Sequence, residues 1–276
     1  MFKKAEGHDF PGRFREIIGD PLNMLIQRDP MAGMIVENMV VLHNGHRVPL
    51  NGESSYYAGF SEILRLNRGV HEPVEEFAFQ EMIPHLPQDP TMLELGAYWA
   101  HYSMWLKLKR PKATTIMVES EKANLAAGEA NFERHSYQGR FILDFVGQDG
   151  FSVDRYLSDA GLESLTILHS DIQGFEVEML QGAKHALSEQ RIGYLFVSTH
   201  SQDLHLSVGE ILSTYGYRIE LSSDFEHDTT SYDGFILAVH PGLVPVFRGP
   251  PPLGREQIVA STPDAILRRL QEICAG

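Results

Sequence analysis

Short apolar runs alternate with amphipathic stretches between Thr91 and His240. The apolar runs have the length and composition of strands, and the stretches between them repeat apolar residues at helical spacing. Strict alternation of strand and helix predicts a parallel sheet that is covered on both faces. The last two runs, "YRIELSS" and "YDGFILAVH", are separated only by a loop, which predicts an antiparallel hairpin at the sheet edge. The five earlier runs are "TMLELGA", "TTIMVES", "GRFILDFVG", "SLTILHSD" and "IGYLFVSTH".

The segments on either side of this pattern differ from it. Before it come helix-like and hairpin-like pieces, and Asn44-Gly45 between alternating apolar residues predicts a two-residue hairpin turn. After it comes a proline-rich stretch, which we interpret as an extended linker, and then a short amphipathic helix. We therefore predict an N-terminal addition at 1–72 for acceptor recognition or dimerisation, a sheet domain at 73–240, and a linker with a helix at 241–276.

The charge of the chain narrows the range of partners. Its formal net charge is −14, which argues against nucleic acid and anionic membranes as partners, because both reward clustered Lys and Arg. The single cysteine, Cys274, excludes an internal disulfide framework and fits a reducing compartment. Nothing in the sequence has the pattern of a signal peptide or of the ~18 apolar residues that a membrane helix needs. We expect a cytoplasmic protein that acts on a small molecule.

Candidate functional residues follow the apolar runs. In an open parallel sheet, ligands bind beyond the carboxyl ends of the strands, so the residues that end each run are the ones to consider. The first run gives Glu94, Gly96, Ala97, Tyr98, His101, Tyr102 and Ser103; the second gives Glu119 and Ser120; the third gives Gly147, Gln148 and Asp149; the fourth gives His169, Ser170 and Asp171; the fifth gives Ser198, Thr199 and His200.

Two features of this set suggest an adenosine cofactor. Gly96 at a strand-to-helix turn lets a ligand approach the backbone, and the helix N-terminus near Tyr102 and Ser103 can hold a carboxylate. Glu119 ends the second run 23 residues after Gly96, where an acidic side chain can accept both hydroxyls of a ribose. The turn and the acid in this order are more informative than either alone.

Three stretches resemble motifs of the FkbM family of S-adenosylmethionine-dependent methyltransferases. They are "LELGAYWAHYSMWL", "TIMVESEKANLAAGEANF" and "SDIQGFEVEMLQGA". The resemblance covers roughly residues 72 to 240. It implies an α/β fold with a Rossmann-like seven-stranded methyltransferase sheet, mostly parallel with an antiparallel hairpin at the edge, next to the helical and hairpin N-terminal addition. It also implies methyl transfer to oxygen, on substrates that are often sugars or polyketide-derived natural products.

The resemblance also assigns roles to residues. Asp171 would face the methyl donor and the acceptor, and Glu119 would hold the ribose of S-adenosylmethionine. The other residues expected around the cofactor are Gly96, Ala97, Tyr102 and Ser103 at the methionine end, Glu94 near its amino group, Gln148 and Asp149 near the adenine, and Tyr98, His101, Ser120, His169 and Ser170.

Four positions depart from the family pattern. Ala100 replaces the second glycine of the first motif, and Ser120 replaces the proline after the ribose acid. Gln173 replaces the usual glutamate after the aspartate, and His169 replaces a lysine two residues before it. Losing one carboxylate and one cation together keeps the local charge balanced, so we interpret the last two as tuning of the pocket.

Methyl transfer to an alcohol also requires removal of a proton. His200 is the first candidate for the general base, since imidazole titrates near neutral pH, and Asp171 is the second. The alternative for His200 is a polar strand end bonded to loop backbone, and His205 is expected in a solvated loop. A divalent metal such as magnesium, bound by Asp171 and His200 with His169 or Asp203, would also acidify the acceptor hydroxyl.

Three functions are compatible with this pattern. The first is an O-methyltransferase that acts on a hydroxyl of a small-molecule acceptor in natural product biosynthesis, as a monomer or a homodimer. The second is a non-catalytic Rossmann-like binding protein derived from a methyltransferase. The third, a nicotinamide oxidoreductase, is disfavoured because the three-glycine fingerprint is absent. Aromatic residues that could bind the acceptor are Tyr56, Tyr57 and Phe60.

Overall fold

The N-terminal part of the chain folds into helices and a small antiparallel sheet, as predicted. The computed structural model describes residues 9–52, 54–57, 59–147 and 150–275. Single 3₁₀ turns cover Pro21–Met24 and Ile83–His85. The first elements are α1 (Phe10–Gly19), β1 (Ile35–Val36), β2 (Met39–Val41), β3 (Arg47–Pro49), α2 (Glu62–Leu66) and α3 (Pro73–Met82).

The Asn44-Gly45 pair does mark a hairpin, between β2 and β3, but its turn is longer than predicted. The Leu42 N–H donates to the His46 carbonyl at 2.8 Å, so three residues lie between these two. Gly45 has a φ of +91°, in the left-handed region that glycine tolerates.

A seven-stranded sheet follows, and it has the predicted form. The apolar runs become β4 (Thr91–Leu95), β5 (Thr114–Glu119), β6 (Arg140–Leu143), β7 (Leu165–Ser170), β8 (Ile192–Thr199), β9 (Arg218–Ser223) and β10 (Gly234–Val239). Their order across the sheet is β6-β5-β4-β7-β8-β10-β9. The pairs from β6 to β8 are parallel, and the two consecutive last strands form the antiparallel edge.

Helices connect these strands, with two differences from the sequence-based expectation. The run predicted as one helix after β7 is two short helices, because the Asp154 carboxylate accepts the N–H groups of His185 and Ala186, both at 2.8 Å, and so caps a new helix start. The predicted linker is partly helical. The helices are α4 (His101–Lys109), α5 (Lys122–Arg134), α6 (Val153–Ala160), α7 (Glu176–Gln181), α8 (Lys184–Ser188), α9 (Gln202–Thr214), α10 (Arg255–Ala260) and α11 (Pro263–Ala275).

The chain divides into two compact units. The first comprises Met1–Pro84, Leu221–Phe235 and Pro245–Gly276, and the second comprises His85–Glu220 and Ile236–Val244. The three-part division proposed from the sequence stays a prediction. Within the described part of the chain, no helix combines the length and the hydropathy that a bilayer crossing requires.

The strand order changes direction between β4 and β7, in the second unit. β5 and β6 extend the sheet on one side of β4, whereas β7 and β8 extend it on the other. At this point the Asp171 N–H donates to the Leu95 carbonyl at 2.9 Å. The loops that leave two neighbouring strands in opposite directions create the crevice in which open α/β sheets bind ligands.

Two helical glycines provide a matched test of packing in the second unit. A Cβ on Gly128 of α5 would lie 2.8 Å from the Tyr98 carbonyl oxygen, whereas on Gly209 of α9 the nearest atom, of Ile236, would be 3.7 Å away. We expect Gly128→Ala to lower the free energy of unfolding by ~1–3 kcal/mol. Gly209→Ala should raise it by ~0.5–1 kcal/mol, because alanine favours the helix. Urea unfolding of both variants measures this, and equal effects would contradict the close approach.

Asp20 in the first unit provides a test by pH. Burial raises the pKa of Asp20 to about 6, against the opposing hydrogen bonds from Thr230 and the Leu22 N–H. The folded state therefore holds the proton more tightly than the unfolded state does. The free energy of unfolding should fall by roughly 2–3 kcal/mol as pH rises from about 4 to about 6. Asp20→Asn should abolish this pH-dependent fall in the free energy of unfolding, measured by urea unfolding at each pH. Asp89→Asn changes an exposed carboxyl group and should leave the fall in place.

Candidate active site

An imidazole between two carboxylates forms the centre of the candidate site. His200 directly follows β8, and its Nε2 lies 3.1 Å from Oδ1 of Asp171, which directly follows β7. Its Nδ1 lies 2.6 Å from Oε1 of Glu176, the first residue of α7. The parallel pairing of β7 with β8 brings both strand ends to one edge of the sheet, which is why the predicted pair converges.

Gln173 completes this group. Its Nε2 lies 2.8 Å from His200 Nε2 and 3.1 Å from Asp171 Oδ1. Gln173 has a φ of +54°, and Gly174 has a φ of +106° with open space where a Cβ would be. A positive φ costs energy for residues other than glycine, so Gln173 adopts a strained conformation in this turn. The turn holds the Gln173 amide against the His200 imidazole.

The charge state of Asp171 follows from these contacts. Burial acts to raise its pKa, but the hydrogen bond and charge of His200, with smaller contributions from His169 and Gln173, hold the pKa below its ordinary value. The carboxylate is therefore ionised at neutral pH. Its side chain is 33% exposed and that of His200 is 12% exposed, so a ligand can reach both.

Glu94 and Ser103 are joined at the start of α4. The Ser103 N–H donates to Glu94 Oε2 at 3.2 Å, so the first turn of this helix already has a carboxylate on it. Burial raises the pKa of Glu94, and the charge of His169 and hydrogen bonds from the helix start partly oppose this. The predicted cofactor carboxylate would share this helix N-terminus with Glu94.

The rings of His101, Tyr102 and His169 pack together. His101 stacks on Trp99 with 5.1 Å between centroids, and Tyr102 lies 4.3 Å from the His169 ring. Both histidines and Tyr102 are buried, as is Trp105. Their geometry is that of packed aromatic side chains behind the carboxyl edge of the sheet.

Glu119 is well placed for a ribose. Its Oε2 accepts the Tyr98 N–H at 3.1 Å, and its Oε1 accepts the Glu121 N–H at 2.8 Å, with the exposed Ser120 hydroxyl at 3.5 Å. Each carboxylate oxygen has two lone pairs, so Oε2, which accepts one hydrogen bond, retains capacity for a ribose hydroxyl. The residues present at this strand end therefore fit a ribose.

The remaining predicted residues have varied surroundings. A Cβ on Gly96 would lie 1.8 Å from the Asp171 carbonyl oxygen, so this glycine is required by the backbone of the neighbouring loop. Ala97 is buried, and the buried Ser170 hydroxyl has no hydrogen-bond partner among the described residues, which leaves it available to a ligand. Gln148 and Asp149 lie outside the described residues, so their expected contact with the adenine stays a prediction.

The possible metal stays a prediction as well. His200 Nε2 and Asp171 Oδ1 are close enough to bind one ion together. Glu176 faces the opposite ring nitrogen, and within the described residues no third imidazole, thiolate or carboxylate completes a ligand group with these two atoms. The donor set here suits proton transfer directly.

Two residues were misjudged from the sequence. Glu176 is not among the residues predicted for the site, but its side chain is fully buried against His200. His205 was expected in a solvated loop, but it lies on α9, is buried, and its Nδ1 is 2.9 Å from the Thr199 hydroxyl. The only sequence signal for Glu176 was its place in the stretch that begins at Asp171.

Comparison with known proteins identifies the family. The model of the methyltransferase FkbM domain matches residues 43–219, more than half of the chain. The chain belongs to the FkbM family of S-adenosylmethionine-dependent methyltransferases. The match begins upstream of the motifs that carried the resemblance. No curated protein is similar enough to the chain to count as a relative.

Solved methyltransferase structures are distantly similar to this FkbM protein. The FkbM methyltransferase of Methylobacillus flagellatus KT is 16% identical with a TM-score of 0.45, over 68% of this chain and 55% of that chain. The precorrin-6y C5,15-methyltransferase of Geobacter metallireducens GS-15 is 16% identical with a TM-score of 0.46, over 60% of this chain and 86% of that chain. TrmK of M. capricolum, solved with S-adenosylhomocysteine, is 14% identical with a TM-score of 0.43, over 60% of this chain and 69% of that chain.

One departure from the FkbM pattern has a visible structural consequence. Ala100, in the place of the second glycine, has a φ of +61° directly before α4. This left-handed conformation costs an alanine energy that a glycine would not incur. Ala100 belongs to the same loop as Tyr98, and the Tyr98 backbone approaches Gly128 closely.

Glu119 provides the test of the cofactor site. We expect Glu119→Gln to weaken binding of S-adenosylhomocysteine about tenfold or more, because an amide accepts fewer ribose hydroxyls and replaces one acceptor with a donor. Isothermal titration calorimetry measures the affinity. Glu121→Gln is the matched control, since that side chain is exposed on the same loop, and it should bind as the unchanged protein does. Equal affinity in both variants would place the ribose elsewhere.

Proposed function

We propose that this FkbM protein transfers the methyl group of S-adenosylmethionine to a hydroxyl oxygen of a small molecule, with His200 as the general base. The observation that supports it best is His200 Nε2 beside the ionised Asp171, at the carboxyl edge where the strand order changes direction. An imidazole in this position is useful to an acceptor that must lose a proton. An acceptor that reacts as a carboxylate or a thioether would not need it.

The expected reaction is an in-line displacement. The acceptor oxygen would bond to the methyl carbon as the carbon–sulfur bond breaks, and the hydroxyl proton would pass to His200 Nε2. S-adenosylmethionine, when bound, would supply the methyl group from its sulfonium, and the neutral thioether S-adenosylhomocysteine would leave. The chain contributes alignment of the two reactants, which accounts for a large part of the rate in such reactions, and a charged partner for the protonated imidazole in Asp171.

A hydroxylated acceptor also agrees with the charge of the site. The ionised Asp171 beside His200 places negative charge at this edge, which disfavours an anionic acceptor and favours a neutral polyol or phenol. A sugar, a glycoside or a polyketide-type natural product belongs to this class. A cytoplasmic location and a homodimer remain parts of the proposal that follow only from the sequence.

The acceptor-binding role of the N-terminal addition has limited support. Tyr56 and Phe60 are buried and pack on each other with 5.6 Å between ring centroids, so they belong to the core of the first unit. Tyr57 is 50% exposed and is the member of the three that could still contact a ligand. We propose Tyr57 as the aromatic residue of this segment to test first.

A non-catalytic binding protein is the less favoured alternative. Such a protein would have no use for an ionised Asp171 and an imidazole held together at neighbouring strand ends, with Glu176 buried behind the imidazole at a cost in desolvation energy. The family membership also argues against an oxidoreductase.

His200 provides the test of the proposed function. We expect His200→Ala to lower the rate of S-adenosylhomocysteine release by ~10²–10⁴-fold with a panel of sugar, glycoside and phenol acceptors, because the acceptor loses its base. Calorimetry should show that affinity for S-adenosylhomocysteine is retained. His185→Ala, an exposed histidine on α8, is the control and should have the original rate. Unchanged turnover in His200→Ala would refute His200 as the base, and no turnover of any hydroxyl acceptor by the original protein would refute the proposed function.

A further inference from the structure

We propose that Glu176 is a positioning residue that fixes His200 in the tautomer with its proton on Nδ1, so that Nε2 carries the lone pair that takes the acceptor proton. This inference rests on the proposed function, in which Nε2 is the basic atom. It concerns a residue that the sequence motifs alone did not distinguish from an exposed helix position.

The hydrogen bonds around Glu176 determine which ring nitrogen carries the proton. Its Oε1 lies 2.6 Å from His200 Nδ1 and also accepts the Gly174 N–H at 2.9 Å. Carboxylate oxygens accept hydrogen bonds, as this one does from Gly174, and a contact of 2.6 Å requires a proton between the two atoms. Nδ1 is therefore the donor, and in the neutral ring Nε2 carries the lone pair.

The groups on the other side of the ring suit both protonation states of Nε2. In the neutral ring, Nε2 can accept the Gln173 side-chain N–H at 2.8 Å. Once it has taken a proton, Nε2–H can donate to Asp171 Oδ1 at 3.1 Å. The charged groups around the ring are thus Glu176 from α7 and Asp171 from the end of β7, with His169 acting on Asp171 from the same strand. The imidazolium formed in the reaction would lie between two carboxylates.

The burial of Glu176 shows that this contact is not incidental. The side chain has no exposed surface, and its second oxygen, Oε2, has no hydrogen-bond partner among the described residues. An unpaired buried carboxylate oxygen is costly, and a helix start could be capped by an exposed side chain without that cost. Orientation of a reactive imidazole is a function that accounts for it.

Nitrogen NMR of the protein labelled with ¹⁵N-histidine tests the proposal without an acceptor. His200→Gln assigns the His200 signals among those of the 13 histidines. With S-adenosylhomocysteine present, at a pH high enough for the ring to be neutral, we expect Nδ1 to give the signal of a protonated ring nitrogen and Nε2 that of an unprotonated one. The opposite assignment in the original protein would overturn the proposal, and this readout needs no change at Glu176.

Variants of Glu176 extend the test to catalysis. Glu176→Leu should shift His200 toward the Nε2–H tautomer, and Glu176→Gln should do so in part, because its amide can turn a donor toward Nδ1. Both should lower kcat by roughly 100-fold or more while the KM for S-adenosylmethionine changes little. Glu178→Gln removes a carboxylate from the same helix away from His200 and should change neither.

The outcomes separate the two proposals. A Glu176→Gln variant that is folded, has the original kcat and keeps the original tautomer would overturn the positioning role. If the original protein methylates no hydroxyl acceptor, the proposed function fails, while the tautomer measurement still decides the role of Glu176. If both Glu176 variants unfold, the spectrum of the original protein decides it.

Discussion

The carboxyl edge of the sheet depends on an acidic side chain that has no exposed surface. Glu176 is fully buried, and burying a carboxyl group is expensive unless hydrogen bonds replace its hydration. The Gly174 N–H and His200 Nδ1 supply these bonds, and both come from turns that directly follow neighbouring strands. The turn after β7 and the start of α9 are thereby connected through one side chain.

Carboxylates near the ends of β4 and β5 also accept backbone hydrogen bonds. Glu94 at the end of β4 accepts an N–H group of α4, and Glu119 at the end of β5 accepts the N–H groups of Tyr98 and Glu121. Each carboxylate thus satisfies backbone donors of the loop that follows a strand. The loops at this edge take their shapes from hydrogen bonds to acidic side chains of the sheet.

Much of this arrangement could be predicted from the sequence, because the alternating pattern fixes which residues end parallel strands. Asp171 and His200 are both predicted as site residues on that basis, and the structure brings them within 3.1 Å of each other. Glu176 could not be found in this way, since its burial depends on a turn with two positive φ values and on a histidine 24 residues away. The division between α7 and α8 likewise depends on Asp154, more than 30 residues earlier. Long-range contacts of this kind have no signature in local periodicity.

A crystal structure with S-adenosylhomocysteine would test the central claim most directly. The account predicts that the ribose hydroxyls bond to Glu119 and that the cofactor sulfur lies next to Asp171. His200 Nε2 should point toward the space beside the sulfur. A cofactor bound away from the carboxyl ends of β4 and β5, or a His200 with Nε2 turned from the sulfur, would contradict it.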